Sequence, residues 1–400
     1  MRAVPRRRAI AVAMVALLIG LSGALTPGPA AATTDPVPTL QPLEELLPEI
    51  KYADSKCPVG YKCKAYKAVC DWGAGVRKTK LWIAENKNNP GYPGGTREFT
   101  VEPRGVAVFF SGGSGKTYWY PEKNTSNQYY VNKMMDAGIY VVDLRWNGTW
   151  NAAPSGDRSA GFDDLACRSS EVVKHVYQNI YVPKVLTPGN APTTPFECGF
   201  CVSGYSAGTA EAVYSISHYT PQLAAVNAVP DAVVIASGPI YTALDLACQG
   251  KGVGEFKMAP DHYVDVDESY GYIGVQGPCA NTNPAGVNWP PKWRNDGIAN
   301  TSAYGATPYG APQGTYNHPD TRIEVLLGAV DNHPVWHHSE VWQGVVEQYT
   351  AGCDFSAGVL GSHCFEYFVP YMSHSIKESP LGMLAMTRAI TWPTAVPPPS

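Results

Sequence analysis

Phe200-Cys201-Val202-Ser203-Gly204-Tyr205-Ser206-Ala207-Gly208-Thr209-Ala210-Glu211-Ala212-Val213-Tyr214-Ser215-Ile216 decides the reading of this chain. Its first four residues are of the strand-favouring kind. Residues 209–216 suit a helix. Between them lies Gly204-Tyr205-Ser206-Ala207-Gly208, which reads G-x-S-x-G. At a sharp strand-to-helix turn, such a serine has its hydroxyl lifted clear of the sheet. The flanking glycines are expected because a side chain there would collide with the neighbouring strand and helix.

Serine is a poor nucleophile at neutral pH. It needs a base, an acid residue to orient that base, and donors for the oxyanion that forms. Candidates for each occur in order along the chain. Asp331 directly follows the apolar run Ile323 to Leu327 and the turn Gly328-Ala329-Val330. A carboxylate there lies on the edge where open α/β sheets bind ligands. Asp143 and Asp320 are its rivals. His374 lies between the last strand-like run, Cys364 to Val369, and the last helical stretch, Pro380 to Ile390. Among nine histidines, His333, His337 and His338 sit at a helix start and are expected to face solvent or a loop. His363 precedes the last strand and so belongs to the opposite edge.

The oxyanion donors are expected to be backbone N–H groups. One belongs to Ala207, after the nucleophile. The other comes from the loop after an early strand. Here Gly105 to Phe110 is a wholly apolar run, as for a strand buried on both faces. It ends in Ser111-Gly112-Gly113-Ser114-Gly115, so Gly113 or Ser114 is the second donor. A phosphate-binding reading of Gly-Ser-Gly-Lys-Thr fails, because that template needs a glycine where Phe110 stands. Trp119, Tyr205 and Trp146 lie beside these segments and are candidate substrate contacts. No cofactor or metal is expected. The acidic group Asp261, Asp265 and Asp267 lacks the later Gly and Glu of a calcium loop, and the cysteine spacings give no zinc site.

Strands alternate with helices from residue 79 onward, which argues an α/β class with a mostly parallel sheet and helices on both faces. The motifs together resemble the α/β-hydrolase superfamily. They are the loop Ser111 to Gly115, the elbow Gly204 to Gly208, Asp331 after a late strand and His374 after the last one. The order Ser, Asp, His is that of the superfamily. The resemblance spans roughly residues 79 to 390. It implies an α/β-hydrolase fold and a Ser206-His374-Asp331 triad working through an acyl-enzyme on carboxylic esters. A peptidase or amidase would use the same residues, and a non-catalytic binding protein would carry a broken triad. The histidine that precedes the glycines in lipase-type loops is missing here, which separates the chain from lipases of that type.

The remaining chain divides by composition. Arg2, Arg6, Arg7 and Arg8, the apolar run Ala9 to Leu25 and Pro29-Ala30-Ala31-Ala32 read as a signal peptide over residues 1–32. Residues 33–75 are a Pro/Cys-rich N-terminal extension, with a stapled hook over 57–75. Residues 76–240 and 321–400 form the catalytic core. Residues 241–320 are rich in Gly, Pro, Asn, Tyr and Trp and read as a cap insertion. Its Tyr263, Tyr270, Tyr272, Trp289, Trp293, Tyr304 and Tyr309 either line an acyl pocket or bury the cap on the core.

Ten cysteines in an exported chain imply up to five disulfides. Cys248 with Cys279 and Cys353 with Cys364 are plausible local pairs, and Cys198-x-x-Cys201 is read as structural. A formal charge of −4 on 400 residues gives no electrostatic case for nucleic acid or an anionic membrane. The expected partner is an ester, either a small molecule or an extracellular polymer. The mature protein is expected to be secreted, with no stable membrane anchor.

Overall fold

The computed structural model describes residues 38–46, 57–58, 61–72, 75–86, 88–92, 95–98, 101–119, 125–157, 160–194, 196–249, 258, 260–273, 277, 279–280, 316–331, 335–356 and 362–391. The signal-peptide reading of 1–32 lies outside these residues, as do Trp289, Trp293, Tyr304 and Tyr309 of the insertion.

The strands are β1 (Glu44–Glu45), β2 (Tyr61–Trp72), β3 (Gly75–Asn86), β4 (Asn88–Tyr92), β5 (Gly95–Glu98), β6 (Gly105–Phe110), β7 (Ile139–Trp146), β8 (Phe200–Tyr205), β9 (Ala232–Ala236), β10 (Arg322–Gly328) and β11 (Cys364–Val369). Nine of them form one sheet in the order β1-β2-β3-β7-β6-β8-β9-β10-β11, while β4 and β5 pair separately as a small hairpin. From β7 to β11 every pairing is parallel, and β1, β2 and β3 join antiparallel at one edge. This is the α/β-hydrolase fold. Its connections run from β6 to β7 on one side, then back to β8 on the other side of β6. The strand order therefore reverses between β6 and β8, and ligands bind outside the strands' carboxyl ends at such a switch point.

The sheet is covered on both faces. Val106, Val108 and Phe110 of β6 point to one face, where they join helices α1 (Phe162–Val176) and α2 (Ala207–His218) through Leu165, Val172, Ala210 and Val213. Ala107 and Phe109 point to the other face, against Val131, Met134 and Met135 of the helix Thr125–Asp136 and Met383, Met386 and Ile390 of the helix Pro380–Thr391. A period of two along β6 thus feeds two separate apolar layers. Each fully buried large apolar side chain in these layers contributes about 1.5–3 kcal/mol.

Two differences from the sequence reading matter. The hook assigned to residues 57–75 contains β2, a twelve-residue strand inside the main sheet, so the sheet begins before residue 76. The helical spacing of Leu165, Val172, Val173, Val176, Tyr177 and Ile180 predicts one helix over 163–181, whereas the α-helix ends at Val176 and the chain continues in a wider π-type coil over Tyr177–Leu186, which holds Pro183. Proline has no N–H to donate to a preceding carbonyl.

All ten cysteines are paired, as Cys57–Cys63, Cys70–Cys167, Cys198–Cys201, Cys248–Cys279 and Cys353–Cys364. Cys70–Cys167 straps β2, the strand next to the sheet's edge, to α1 across 97 residues. Beside it, the Glu171 carboxylate accepts the Gln41 and Val69 N–H groups at 2.9 and 2.7 Å. This cluster of Cys70, Cys167 and Glu171 therefore has its donor atoms already engaged. Chain-entropy arguments give a 97-residue closure about 4–5 kcal/mol and a three-residue one under about 2 kcal/mol. Replacing Cys70 and Cys167 together by alanine should therefore lower the urea midpoint far more than the same change at Cys198 and Cys201. Equal losses would remove the entropic account.

Within the insertion, Tyr241, Tyr263 and Tyr270 are buried and Tyr272 is half-buried against the same core. The ring centre of Phe162 stands 5.1 Å from that of Tyr241 and 6.2 Å from that of Tyr270. Tyr263 and Tyr270 are buried in the same layer. The Asp267 carboxylate accepts the N–H groups of Cys279 and Ala280 at 2.8 and 2.7 Å, and Asp265 accepts the Tyr241 hydroxyl at 2.9 Å. These acids serve to fasten the segment down. Among the described residues no helix is long and apolar enough to cross a membrane.

Candidate active site

β8 hands over to α2 at Ser206, whose φ of 52° and ψ of −125° lie outside the regions ordinary side chains favour. Such a backbone costs on the order of 1–3 kcal/mol and persists only where its surroundings hold it. Here the Ser206 N–H donates to Ala236 O at 2.9 Å on neighbouring β9. Its own carbonyl accepts the Thr209 N–H at 2.9 Å and also the Thr209 hydroxyl. A Cβ on Gly204 would stand 2.3 Å from Gly208 O, and one on Gly208 would stand 2.4 Å from Phe110 O. Both obstacles are backbone, so neither can swing away. One glycine admits the helix to its own strand, and the other admits it to β6.

Ser206, His374 and Asp331 meet. His374 Nε2 lies 2.8 Å from Ser206 Oγ, and His374 Nδ1 lies 3.1 Å from Asp331 Oδ2. The Asp331 side chain is 3% exposed and that of His374 19% exposed, so the carboxylate is shielded while the imidazole retains an open edge. The loops carrying them are tied by backbone. Ala329 N–H donates to Val369 O at 3.1 Å and Val330 N–H to Met372 O at 3.2 Å. A Cβ on Gly328 would stand 2.3 Å from Met372 O, so the glycine lets these loops touch.

The rivals go elsewhere. Asp143 is buried and accepts the Trp119 N–H at 2.9 Å, and Asp320 is exposed. His363 pairs with His318 O at the sheet's other edge. His338 is buried against Thr242 and Ala243 rather than facing solvent, because the start of the helix Val335–Tyr349 packs inward there. His333 lies outside the described residues.

The glycine loop after β6 runs beside the elbow. Ala207 opens α2, so its N–H has no partner within the helix. The Gly115 carbonyl accepts Trp146 N–H at 2.8 Å and the Ser114 carbonyl accepts Trp150 N–H at 3.2 Å. Gly115 N–H closes a tight turn onto Gly112 O at 3.3 Å. Among the described residues the N–H groups of Gly112, Gly113 and Ser114 carry no hydrogen bond. The loop is thus held by its carbonyls, with its donors left over. Gly113 is exposed with φ of 62°, which suits glycine.

Two of the three expected substrate contacts are corrected. Trp146 is fully buried, with Nε1 donating to Glu211 Oε2 at 2.9 Å and its ring under Gly115. Trp119 is 1% exposed and packs 4.7 Å from the Phe109 ring. Both are layer residues beneath the site, since strand and loop direct them inward. Tyr205 stays at the site. Its ring lies 6.3 Å from that of His374 and fills the space above Gly112, where a Cβ would meet it at 2.5 Å. Burial raises its hydroxyl above the ordinary tyrosine value, partly offset by a bond to Ser375.

A cavity of about 220 Å³ borders Asp331 and is lined by Leu327, Gly328, Ala329, Trp336 and Phe368. Lys377 and Glu211 were not singled out from the sequence. Lysine and glutamate in amphipathic stretches read as solvated, yet Glu211 is buried beneath the glycine loop and burial lifts its carboxyl well above the usual range.

No family model matches the chain, and no curated protein matches it. Solved structures similar to it include a thermophilic esterase of the Planctomycetes species Thermogutta terrifontis, at 12% identity over 75% of this chain and 79% of that one, with a TM-score of 0.38. An esterase/lipase from an uncultured bacterium is similar at 10% identity over 85% of both chains, with a TM-score of 0.39.

Proposed function

We propose that the protein is an exported serine hydrolase that cleaves carboxylic esters through an acyl-enzyme. The observation that carries this reading is the relay Ser206 Oγ, His374 Nε2 and Nδ1, Asp331 Oδ2, at 2.8 and 3.1 Å, on the carboxyl edge of the sheet. His374 Nε2 takes the Ser206 proton as Oγ bonds to the acyl carbon. Asp331 holds the Nδ1–H tautomer and stabilises the imidazolium. The oxyanion lies between the Ala207 N–H and the glycine loop, where Gly113 and Ser114 present their donors. The imidazolium then gives its proton to the departing alkoxide, leaving Ser206 acylated. Water, deprotonated by His374, attacks the acyl carbon, and the acid leaves as Ser206 regains its proton.

Export is supported by the basic and apolar leader and by a full complement of disulfides, which persist in oxidising compartments. The ester is a small molecule or an extracellular polymer.

The test is labelling by a fluorophosphonate probe with peptide mapping, beside a panel of matched ester and amide substrates. Modification of Ser206 and ester turnover are expected. Folded protein that neither labels nor hydrolyses any ester overturns the reading, and preference for the amides converts it to an amidase.

A further inference from the structure

Lys377 lies in the short 3₁₀ turn Ile376–Glu378, three residues past His374. Its ammonium reaches the other two segments of the site. Nζ donates to Ser111 Oγ at 3.5 Å, where the glycine loop begins. It stands 5.2 Å from the centre of the Tyr205 ring and 5.7 Å from that of Trp119. Tyr205 precedes the nucleophile, and its ring occupies the space above Gly112. Trp119 is held through its N–H by Asp143, whose negative charge also acts on Lys377. One cation therefore touches the segment bearing the oxyanion donors, the segment bearing Ser206 and, through its own backbone, the segment bearing His374. A cation over two aromatic faces in a partly desolvated site is attracted to both, and the attraction vanishes when the amine is neutral.

We propose that Lys377 is a positioning residue whose ammonium clamps the glycine loop, the elbow and the His374 loop in register, so that losing its proton slackens the site and switches hydrolysis off on the alkaline side. The inference rests on the ester-hydrolase reading above. Burial lowers the Lys377 amine from its ordinary value to about 8, with Asp143 pulling it back upward. The sign follows from this. The amine is charged at neutral pH, and the clamp is lost as pH rises through about 8. Asp143 from β7 is the charge that acts on it and Tyr205 from β8 is the titratable ring beneath it, while His374 and Glu378 are the titratable neighbours along its own segment. Tyr205 is raised above the ordinary tyrosine value and stays neutral across that step.

The test is the blank-subtracted pH profile of kcat/KM for p-nitrophenyl acetate with wild type, Lys377→Arg and Lys377→Met. Wild type should fall with a midpoint near 8. Arg keeps its charge to beyond about pH 12 and stacks on aromatic faces, so Lys377→Arg should hold activity through this range. Lys377→Met should be reduced about tenfold or more at neutral pH and show no fall near pH 8, as expected when an indirect positioning contact is lost. A purely structural lysine would lower activity without moving the limb. The proposal is overturned if Lys377→Arg falls at the wild-type midpoint, or if Lys377→Met matches wild type. Should Lys377→Met not fold, the Arg profile decides alone. Fluorophosphonate labelling of wild type at neutral pH separates the two readings. An unlabelled, inactive wild type removes the hydrolase, whereas a labelled, active one without the limb removes only Lys377.

Discussion

Ser206→Ala is expected to lower kcat/KM toward p-nitrophenyl acetate by about 10⁵- to 10⁶-fold, or about 7–8 kcal/mol of transition-state stabilisation. Only the Oγ is removed, and with it the acyl-enzyme. His374, Asp331 and the backbone donors remain, so a residual rate above uncatalysed hydrolysis is expected from the oxyanion site and binding alone. The fold should be unaffected. Alanine carries the same Cβ at the same φ of 52°, and the bonds from residue 206 to Ala236 and Thr209 that hold this turn use backbone of residue 206. A thermal melt within a degree or two of wild type, with turnover lost, is the expected pair of results. Ser206→Ala retaining more than about one hundredth of wild-type turnover would show that the nucleophile is elsewhere.

Asp331→Asn should cost about 10³- to 10⁴-fold in kcat with little change in KM. The asparagine is nearly isosteric and keeps a group 3.1 Å from His374 Nδ1. It lacks the charge that stabilises the imidazolium, and its amide can turn an N–H toward the ring and impose the wrong tautomer. The carboxylate is 3% exposed, so solvent supplies little of the missing field. Asp320→Asn is the control, because that exposed carboxylate also lies near a strand but at the other edge. Equal losses from the two substitutions would remove Asp331 from its assigned role.

The parts legible in the sequence share a physical signature. Six-residue apolar runs such as Gly105–Phe110 could be read as strands because burial on both faces leaves no room for polar alternation. Glycine flanking Ser206 was readable because two backbone oxygens stand where its side chains would be. β2 was missed because lysines alternate with buried positions along Tyr61–Trp72, and three cysteines suggested a stapled loop instead. Trp119 and Trp146 were misplaced for a different reason. Nearness in sequence to a loop says nothing about which layer a ring enters, and both rings turn inward under the site. Lys377 was invisible because its value lies in what it touches: Ser111 and Tyr205 are 266 and 172 residues away in sequence. Pairing Asp331 with His374 depended on strand-end positions, which survive in one dimension as an order of runs and turns.

The contact between Gly112 and the Tyr205 ring bears on how this site can change over time. The ring fills the volume that any side chain at 112 would need, at 2.5 Å from its Cβ. A bulkier residue at 112 is tolerable only after position 205 has shrunk, and shrinking 205 first uncovers a hole between the glycine loop and His374. Each single step is harmful while the double step need not be. The two positions are therefore epistatic, and lineages that vary one should be found to have varied the other.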